Sequence, residues 1–155
     1  MNLVIAIALL GTGLVTGLLF AFSNFVLQSL GDLPDDEGMY AMQRINERII
    51  NPLFLLLFLG TPVLCTAIAV SMLYTLGDSG ALLKLAGAIF YMAGPFSITV
   101  LFNVPLNNRL AAADLSDAGE VWPSYQAQWQ RWNHRRTFLG AVAIVLLAAG
   151  LGASG

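Results

Sequence analysis

Charge is scarce in this chain, and its scarcity excludes most classes of soluble protein. Only 10% of the 155 residues are charged, 57% are hydrophobic, and the mean hydropathy is +0.75. Soluble domains carry about 25% charged residues, so this chain lacks the polar surface that would keep it in water. Seven Lys and Arg against nine Asp and Glu also leave no basic surface for a phosphate backbone. The composition therefore excludes a disordered chain, a soluble globular enzyme and a nucleic-acid binder.

Cysteine and histidine are equally scarce, with one residue of each. Cys65 lies inside an apolar run, and a single cysteine excludes an internal disulfide and a thiolate metal cage. His134 has no second histidine to join it, and the apolar runs contain no carboxylate, so we expect no metal site. No phosphate loop, nucleophile elbow or dinucleotide fingerprint is present.

Long apolar runs dominate what remains. A spanning helix needs ~20 apolar residues, and four such runs occur at about residues 3–24, 52–75, 82–104 and 133–152. They predict an all-α fold, a transmembrane four-helix bundle, built as one integral membrane domain over residues 1–155. The first run resembles a signal peptide, but it has no basic n-region and is longer than a typical h-region, so we expect a retained helix.

The connections between the runs are unequal in length and charge. Met39, Met42, Ile45 and Ile49 recur at helical spacing and predict a short amphipathic interfacial helix between the first two spans. An extended helix started by Pro123 is predicted to lead into the fourth span. The long connections hold six arginines: Arg44, Arg48, Arg109, Arg131, Arg135 and Arg136. By the positive-inside tendency, we expect a multi-pass protein of the cell membrane with these connections in the cytoplasm and both termini opposite.

Amides collect at the ends of the spans that adjoin the long connections. Thr99, Asn103 and Asn107 follow one another at four-residue steps and line one stripe of the third span. The other polar residues at this end are Asn24 in the first span, Asn46 and Asn51 before the second, and Asn133 and His134 before the fourth. An unpaired amide in hydrocarbon costs several kcal/mol, so the set predicts either a shared binding cavity or hydrogen bonds between helices.

Aromatic and basic residues flank the amides. Trp129 and Trp132 lie on the extended helix, where they fit either an interfacial belt or a surface that stacks on a flat ligand. Arg109 follows the amide stripe and could bind a lipid headgroup or a phenolate. His134 is the only side chain whose ordinary pKa suits proton transfer near neutrality.

Four segments together resemble the anthrone oxygenase family of small four-helix membrane proteins. They are FAFSNFV, MQRINERIINPLF, FNVPLNNRLA and WQRWNHRR, which begin at Phe20, Met42, Phe102 and Trp129. The resemblance covers nearly the whole chain, and its specific part is FNVPLN and WNH at the ends of spans three and four. It implies oxidation of an anthrone to an anthraquinone by O2 without a metal or flavin cofactor.

This resemblance implies roles for the polar end of the bundle. His134 would be the base, and Asn103, Asn107 and Asn133 would bind the carbonyl and the developing oxyanion. Trp129 and Trp132 would stack on the substrate, and Arg109 would stabilise a phenolate. Asn24, Asn46 and Asn51 would close the polar end.

Two other functions fit the same sequence. The first is a non-catalytic membrane protein that binds a lipid, a quinone, another small hydrophobic molecule or a partner helix. The second is a transporter, which we rank lower because no span carries a charged residue at its midpoint. Membrane lipids are expected around the bundle, and Gly13 and Gly17 would serve either internal packing or a homo-oligomer contact.

Overall fold

The computed structural model describes residues 1–153, and these residues form five helices joined by short connections. The helices are α1 (Asn2–Gly31), α2 (Asp35–Ile49), α3 (Pro52–Leu73), α4 (Ala81–Ala112) and α5 (Ala118–Gly152). No strand occurs within the described range. The all-α fold class is therefore confirmed.

Four of the five helices are long and apolar enough to cross a membrane: α1, α3, α4, and α5 with the short 3-10 turn Leu115–Asp117 before it. Their outward faces carry large hydrophobic side chains, among them Leu10, Leu59 and Phe138. In water such faces would expose apolar surface along the whole bundle, whereas in lipid they are solvated. The chain is accordingly a multi-pass membrane protein, with one helix, α2, that does not span.

The helix α2 has the predicted amphipathic character. Its first turn holds Asp35, Asp36 and Glu37, whose charges favour a helix N-terminus. Met39 and Met42 are fully buried in a cluster with Trp122 of α5. The following helix begins as predicted, because the Asn51 side chain accepts a hydrogen bond from the backbone N–H of Phe54 at 3.0 Å. Thus α2 covers the end of the bundle where the long connections lie.

Small residues set the close packing of the spans. A Cβ atom built on Gly140 of α5 would overlap Thr16 of α1 and Pro95 of α4, and one built on Gly87 would overlap Leu147. Helix backbones approach closely at these points, as is usual in membrane bundles. Gly13 and Gly17 instead have open space around them, so they do not serve internal packing.

The two ends of the bundle differ. At one end, α3 and α4 are joined by a tight turn in which Gly80 adopts φ +76°, a left-handed conformation suited to glycine. Met1 lies beside this turn, and Gly150 packs against Gly80 and Lys84. The start of the chain and the end of its described part are therefore at the same end. The opposite end holds α2 and the loop at Asp114, where hydrogen bonds from Ser116 lower the pKa of that carboxyl.

One local prediction needs correction, and two irregular helical segments were not predicted. The extended helix begins at Ala118 rather than at Pro123, because the chain is already helical for five residues before the proline. The helix α4 is irregular from Met92 to Asn103, where it adopts π-helical hydrogen bonding around Pro95. A second π-helical segment, Phe22–Val26, interrupts α1. Such segments occur often at functional sites, and both lie beside the polar residues described next.

Candidate functional site

Buried and half-buried polar side chains from α1, α2, α4 and α5 meet inside the bundle near α2, and we call this set the polar layer. Its members are Ser23, Asn46, Thr99, Asn103, Asn107, Tyr125, Gln130, Asn133, Arg136 and Thr137. The helix α3, from Pro52 to Leu73, contributes none of them. The predicted convergence of amides is therefore observed for the third and fourth spans and the amphipathic helix. The first span contributes only the hydroxyl of Ser23, and the second span contributes nothing.

Asn133 lies at the centre of the polar layer and is fully buried. Its Nδ2 donates to the backbone carbonyl of Leu19 at 2.9 Å and to Ser23 Oγ at 2.7 Å, both in α1. Its Oδ1 accepts two hydrogen bonds from Arg136. One amide side chain thus joins α1 to the guanidinium of α5.

Arg136 is 5% exposed and is held by neutral groups. Its Nε and Nη2 donate to Asn133 Oδ1 at 3.0 and 2.8 Å, and its Nη1 donates to Thr99 Oγ1 at 2.8 Å. The guanidinium carbon lies 4.9 Å from the centre of the Trp129 ring, which gives a cation–π contact. Burial of a charge costs several kcal/mol unless it is paired, and no carboxylate pairs with Arg136 within residues 1–153.

Asn107 organises the aromatic side of the layer. Its Oδ1 accepts hydrogen bonds from the Tyr125 hydroxyl and from Trp129 Nε1, each at 2.9 Å. Trp129 also packs against Phe22 with ring centres 5.5 Å apart. Both acceptor positions of Asn107 Oδ1 are therefore in use, and its Nδ2 forms no hydrogen bond within the described chain. This N–H group is the part of Asn107 that can bind another molecule.

Several buried polar atoms of the layer have no partner among residues 1–153. They are Asn46 Nδ2, Asn103 Oδ1 and Gln130 Oε1. The other amide atom of Asn103 is used, since its Nδ2 donates to the backbone carbonyl of Trp129 at 3.3 Å. Buried polar atoms in proteins are nearly always hydrogen-bonded, so these unpaired atoms mark positions where water or a polar ligand would complete the layer.

The structure places four residues of the predicted site outside the polar layer. Asn24, Asn51, Arg109 and His134 are all exposed, and Asn51 is occupied as the cap of α3. His134 forms no hydrogen bond within the described chain. It follows Asn133 directly, and successive helix residues point about 100° apart, which turns the imidazole towards the outer surface. The expectation that the amides surround His134 is therefore wrong. The chemical role of His134 as a base stays a prediction.

Trp132 also lies on the outer side of α5. It stacks on Phe102 with ring centres 3.7 Å apart, and the Arg135 guanidinium lies 4.5 Å from its ring centre. With Arg131 and Gln128 it lines a surface groove of about 400 Å³. The two tryptophans predicted to act together therefore differ in burial: Trp129 is buried inside the bundle, whereas Trp132 is half-buried, packs against the same hydrophobic cluster and borders the groove.

Arg136 is the important residue that the sequence interpretation missed, because it was counted with the arginines of the loops. Its spacing in the sequence could have indicated that it is buried. Arg136 lies seven residues after Trp129, three after Asn133 and four before Gly140, and these three residues are buried. This spacing places it on the inner face of α5. Within residues 1–153 no group of three or more His, Cys, Asp or Glu side chains could hold a metal ion.

The fold and the polar layer together define a small all-helical membrane protein with a buried amide and arginine site beneath an amphipathic helix. A family model described as anthrone oxygenase matches residues 54–146, more than half of the chain. The protein therefore belongs to the anthrone oxygenase family. Neither curated proteins nor solved structures give a significant match to the chain.

Proposed function

We propose that this protein oxidises an anthrone-like polycyclic phenol with O2, without a bound cofactor, at the polar layer. The observation that carries the proposal is the set of unpaired amide atoms on the inner layer, next to a buried tryptophan, in a member of the anthrone oxygenase family. A flat aromatic substrate needs an apolar wall, and its oxygens need hydrogen-bond partners. Trp129 is the proposed wall, and the amides of Asn46, Asn103 and Asn107 are the proposed partners.

The reaction balances without a further oxidant or reductant. An anthrone loses a proton to give an enolate, and the enolate carbon gives one electron to O2. The resulting radical and superoxide combine through a new C–O bond to form a peroxide anion, and this anion takes back the proton to give a hydroperoxide. Loss of water from the hydroperoxide breaks the O–O bond and the second C–H bond. One oxygen atom remains as the new carbonyl, and the other leaves in water.

The amides supply two kinds of contact in this scheme. Asn46 Nδ2 lies near the Tyr125 hydroxyl but forms no hydrogen bond within the described chain, and Asn107 Nδ2 also forms none. Each can therefore donate to a substrate oxygen that gains negative charge. Asn103 Oδ1 is an unpaired acceptor and can receive a hydrogen bond from a substrate hydroxyl. The role proposed for Asn133 is to hold Arg136 and α1 in place.

Removal of the proton is assigned to His134, which remains the proposed base. Because His134 lies on the outer surface of α5, it would act on the substrate as this enters from the membrane, before the ring reaches Trp129. Trp132, on the same outer side, would contact the entering ring. Asn24, Asn51 and Arg109 have no part in this proposal, since each is exposed and separate from the layer.

A second candidate is a non-catalytic protein that binds a hydrophobic molecule at the same place. The observation that favours it is the extent to which the layer is already bonded to itself through Asn133 and Asn107. Structural hydrogen bonds of this kind are common between membrane helices. Binding without turnover would raise the thermal stability of the protein and leave oxygen uptake at background.

Oxygen consumption separates the two candidates. Purified protein in lipid nanodiscs is given anthrone under ¹⁸O2, with heat-inactivated protein as the measure of autoxidation. The proposal expects uptake above that background and one ¹⁸O atom in the quinone product. Asn103→Leu should reduce uptake to background, while the matched exposed variant Asn24→Leu should keep it. Uptake by the native protein that does not exceed autoxidation would contradict the proposal.

A further inference from the structure

Arg136 is a buried cation for which residues 1–153 supply no anion. All nine side-chain carboxylates are exposed: Asp32, Asp35, Asp36, Glu37, Glu47, Asp78, Asp114, Asp117 and Glu120. The only ion pair within residues 1–153 is the surface pair of Arg44 and Glu47. Buried charges in proteins are ordinarily paired or bound to an ion, so the interior near Arg136 lacks one negative charge.

The neighbours of Arg136 bind the guanidinium but carry no charge that would neutralise it. Asn133, Thr99 and the ring of Trp129 are all neutral, and they come from α4 and from α5 itself. The helix α1 adds the neutral Ser23 to the same network. Tyr125 is the titratable group that interacts electrostatically with Arg136.

Arg136 also has hydrogen-bond donors that are unused within the described chain. A guanidinium has five N–H groups, and three of those of Arg136 are used within the described chain. The remaining two belong to the terminal nitrogens Nη1 and Nη2, one on each, and both can donate to an anionic oxygen. The unpaired Asn103 Oδ1 lies nearby in the same layer, since Asn103 bonds to the backbone of Trp129.

We propose that Arg136 binds the negatively charged oxygen of the ligand and so selects a substrate in its ionised form, an enolate or phenolate. This inference rests on the proposed function, and it names the substrate class of that site: polycyclic ketones whose enol or hydroxyl group is acidic enough to ionise near neutrality. The cation stabilises the enolate that must give its electron to O2. Neutral polycyclic hydrocarbons and quinones without a hydroxyl group bind weakly.

The test uses a ligand that cannot be oxidised by this route. The visible absorption of 2-hydroxyanthraquinone changes when its hydroxyl ionises, so the colour of the bound ligand reports its charge. The ligand is titrated with pH in neutral-detergent micelles, with and without the native protein. Anthraquinone, which has no ionisable group, serves as the matched neutral ligand.

We expect the bound hydroxyl to ionise at least one pH unit lower than in empty micelles. This shift corresponds to binding of the phenolate at least about tenfold tighter than binding of the neutral phenol. Arg136→Gln should abolish this shift, Arg136→Lys should keep part of it, and the exposed control Arg135→Gln should keep all of it. An unshifted titration with the native protein overturns the inference, even if Arg136→Gln does not fold. Three other results overturn it as well. They are loss of the shift in Arg135→Gln, binding of anthraquinone as tight as that of 2-hydroxyanthraquinone, and no binding of either ligand.

The outcome is separable from that of the oxygenase proposal. A shifted titration together with oxygen uptake at background would leave the anion site in place and remove the oxidation. Oxygen uptake that survives in Arg136→Gln, with no shift in the native protein, would leave the oxidation in place and remove the anion site.

Discussion

Asn133 and Arg136 are joined by two hydrogen bonds to a single oxygen, since Asn133 Oδ1 accepts from both Nε and Nη2 of Arg136. The two residues are less than one helical turn apart on α5. The other end of the same amide bonds to Leu19 and Ser23 in α1. The position of the buried Arg136 side chain therefore depends on a contact between two spans.

The first prediction concerns this pair. Asn133→Leu leaves the guanidinium without its main acceptor and frees the Leu19 carbonyl, so it should lower the free energy of unfolding by about 1–3 kcal/mol or more. Arg136→Leu combined with Asn133→Leu removes the stranded charge as well and should recover part of that loss. Denaturant unfolding in micelles measures both variants and the single Arg136→Leu. A double variant that is as unstable as the sum of its singles would show that the pair is not coupled.

The second prediction concerns the two donors that share Asn107. Tyr125→Phe removes one donor and leaves the Trp129 bond, so it should cost only about 1 kcal/mol. Asn107→Leu strands both donors in the interior and should cost more than Tyr125→Phe. Unfolding followed by circular dichroism compares them. Equal stability of the two variants would mean that the hydrogen bond from Trp129 Nε1 to Asn107 Oδ1 contributes nothing to the free energy of unfolding.

The third prediction uses the glycines. Gly140→Val would force Thr16 and Pro95 apart and should destabilise the bundle by several kcal/mol. Gly13→Ala has open space, and because Ala is the better helix former by about 1 kcal/mol, it should be neutral or stabilising. Thermal unfolding ranks the two. A strongly destabilising Gly13→Ala would indicate that a second copy of the chain covers this face, which light scattering of the native protein would then detect.

The fourth prediction separates the base from the binding site. His134→Ala should change stability by no more than about 0.5 kcal/mol, because the side chain is exposed and forms no hydrogen bond in the described chain. Its oxygen uptake with un-ionised anthrone should fall by about 100-fold, the low end of general-base effects. Binding of 2-hydroxyanthraquinone should be unchanged. Full uptake in His134→Ala would exclude this histidine as the base.

Much of the fold was predictable because lipid imposes simple rules on the chain. Four apolar runs of spanning length predicted the four spans, and the spacing of Met39 and Met42 predicted α2 as the non-spanning helix. Boundaries were less predictable. Ala118–Val121 carries no apolar run, so the early start of α5 was not visible in the sequence. The π-helical stretch Met92–Asn103 was not predicted, although it contains Pro95, which lacks a backbone N–H.

The types of residue in the candidate site were predictable, but the direction in which each side chain points was predictable only in part. The four-residue spacing of Thr99, Asn103 and Asn107 predicted that all three share one stripe. In the structure each of them forms a hydrogen bond with α5. For the fourth span the sequence shows Asn133 and His134 side by side, and only the packing of α5 decides which of them turns inward. Arg136 was assigned to the loops because a buried arginine without a carboxylate is rare, and composition alone predicts a solvated one.

The location of a bound ligand tests the account most directly. A structure of the protein with 2-hydroxyanthraquinone should show the ring against Trp129 inside the bundle, with its charged oxygen within hydrogen-bond distance of Arg136 and its other polar groups at Asn46, Asn103 or Asn107. Density for the ligand only in the outer groove between Arg131, Trp132 and Arg135, with the polar layer unchanged, would contradict it.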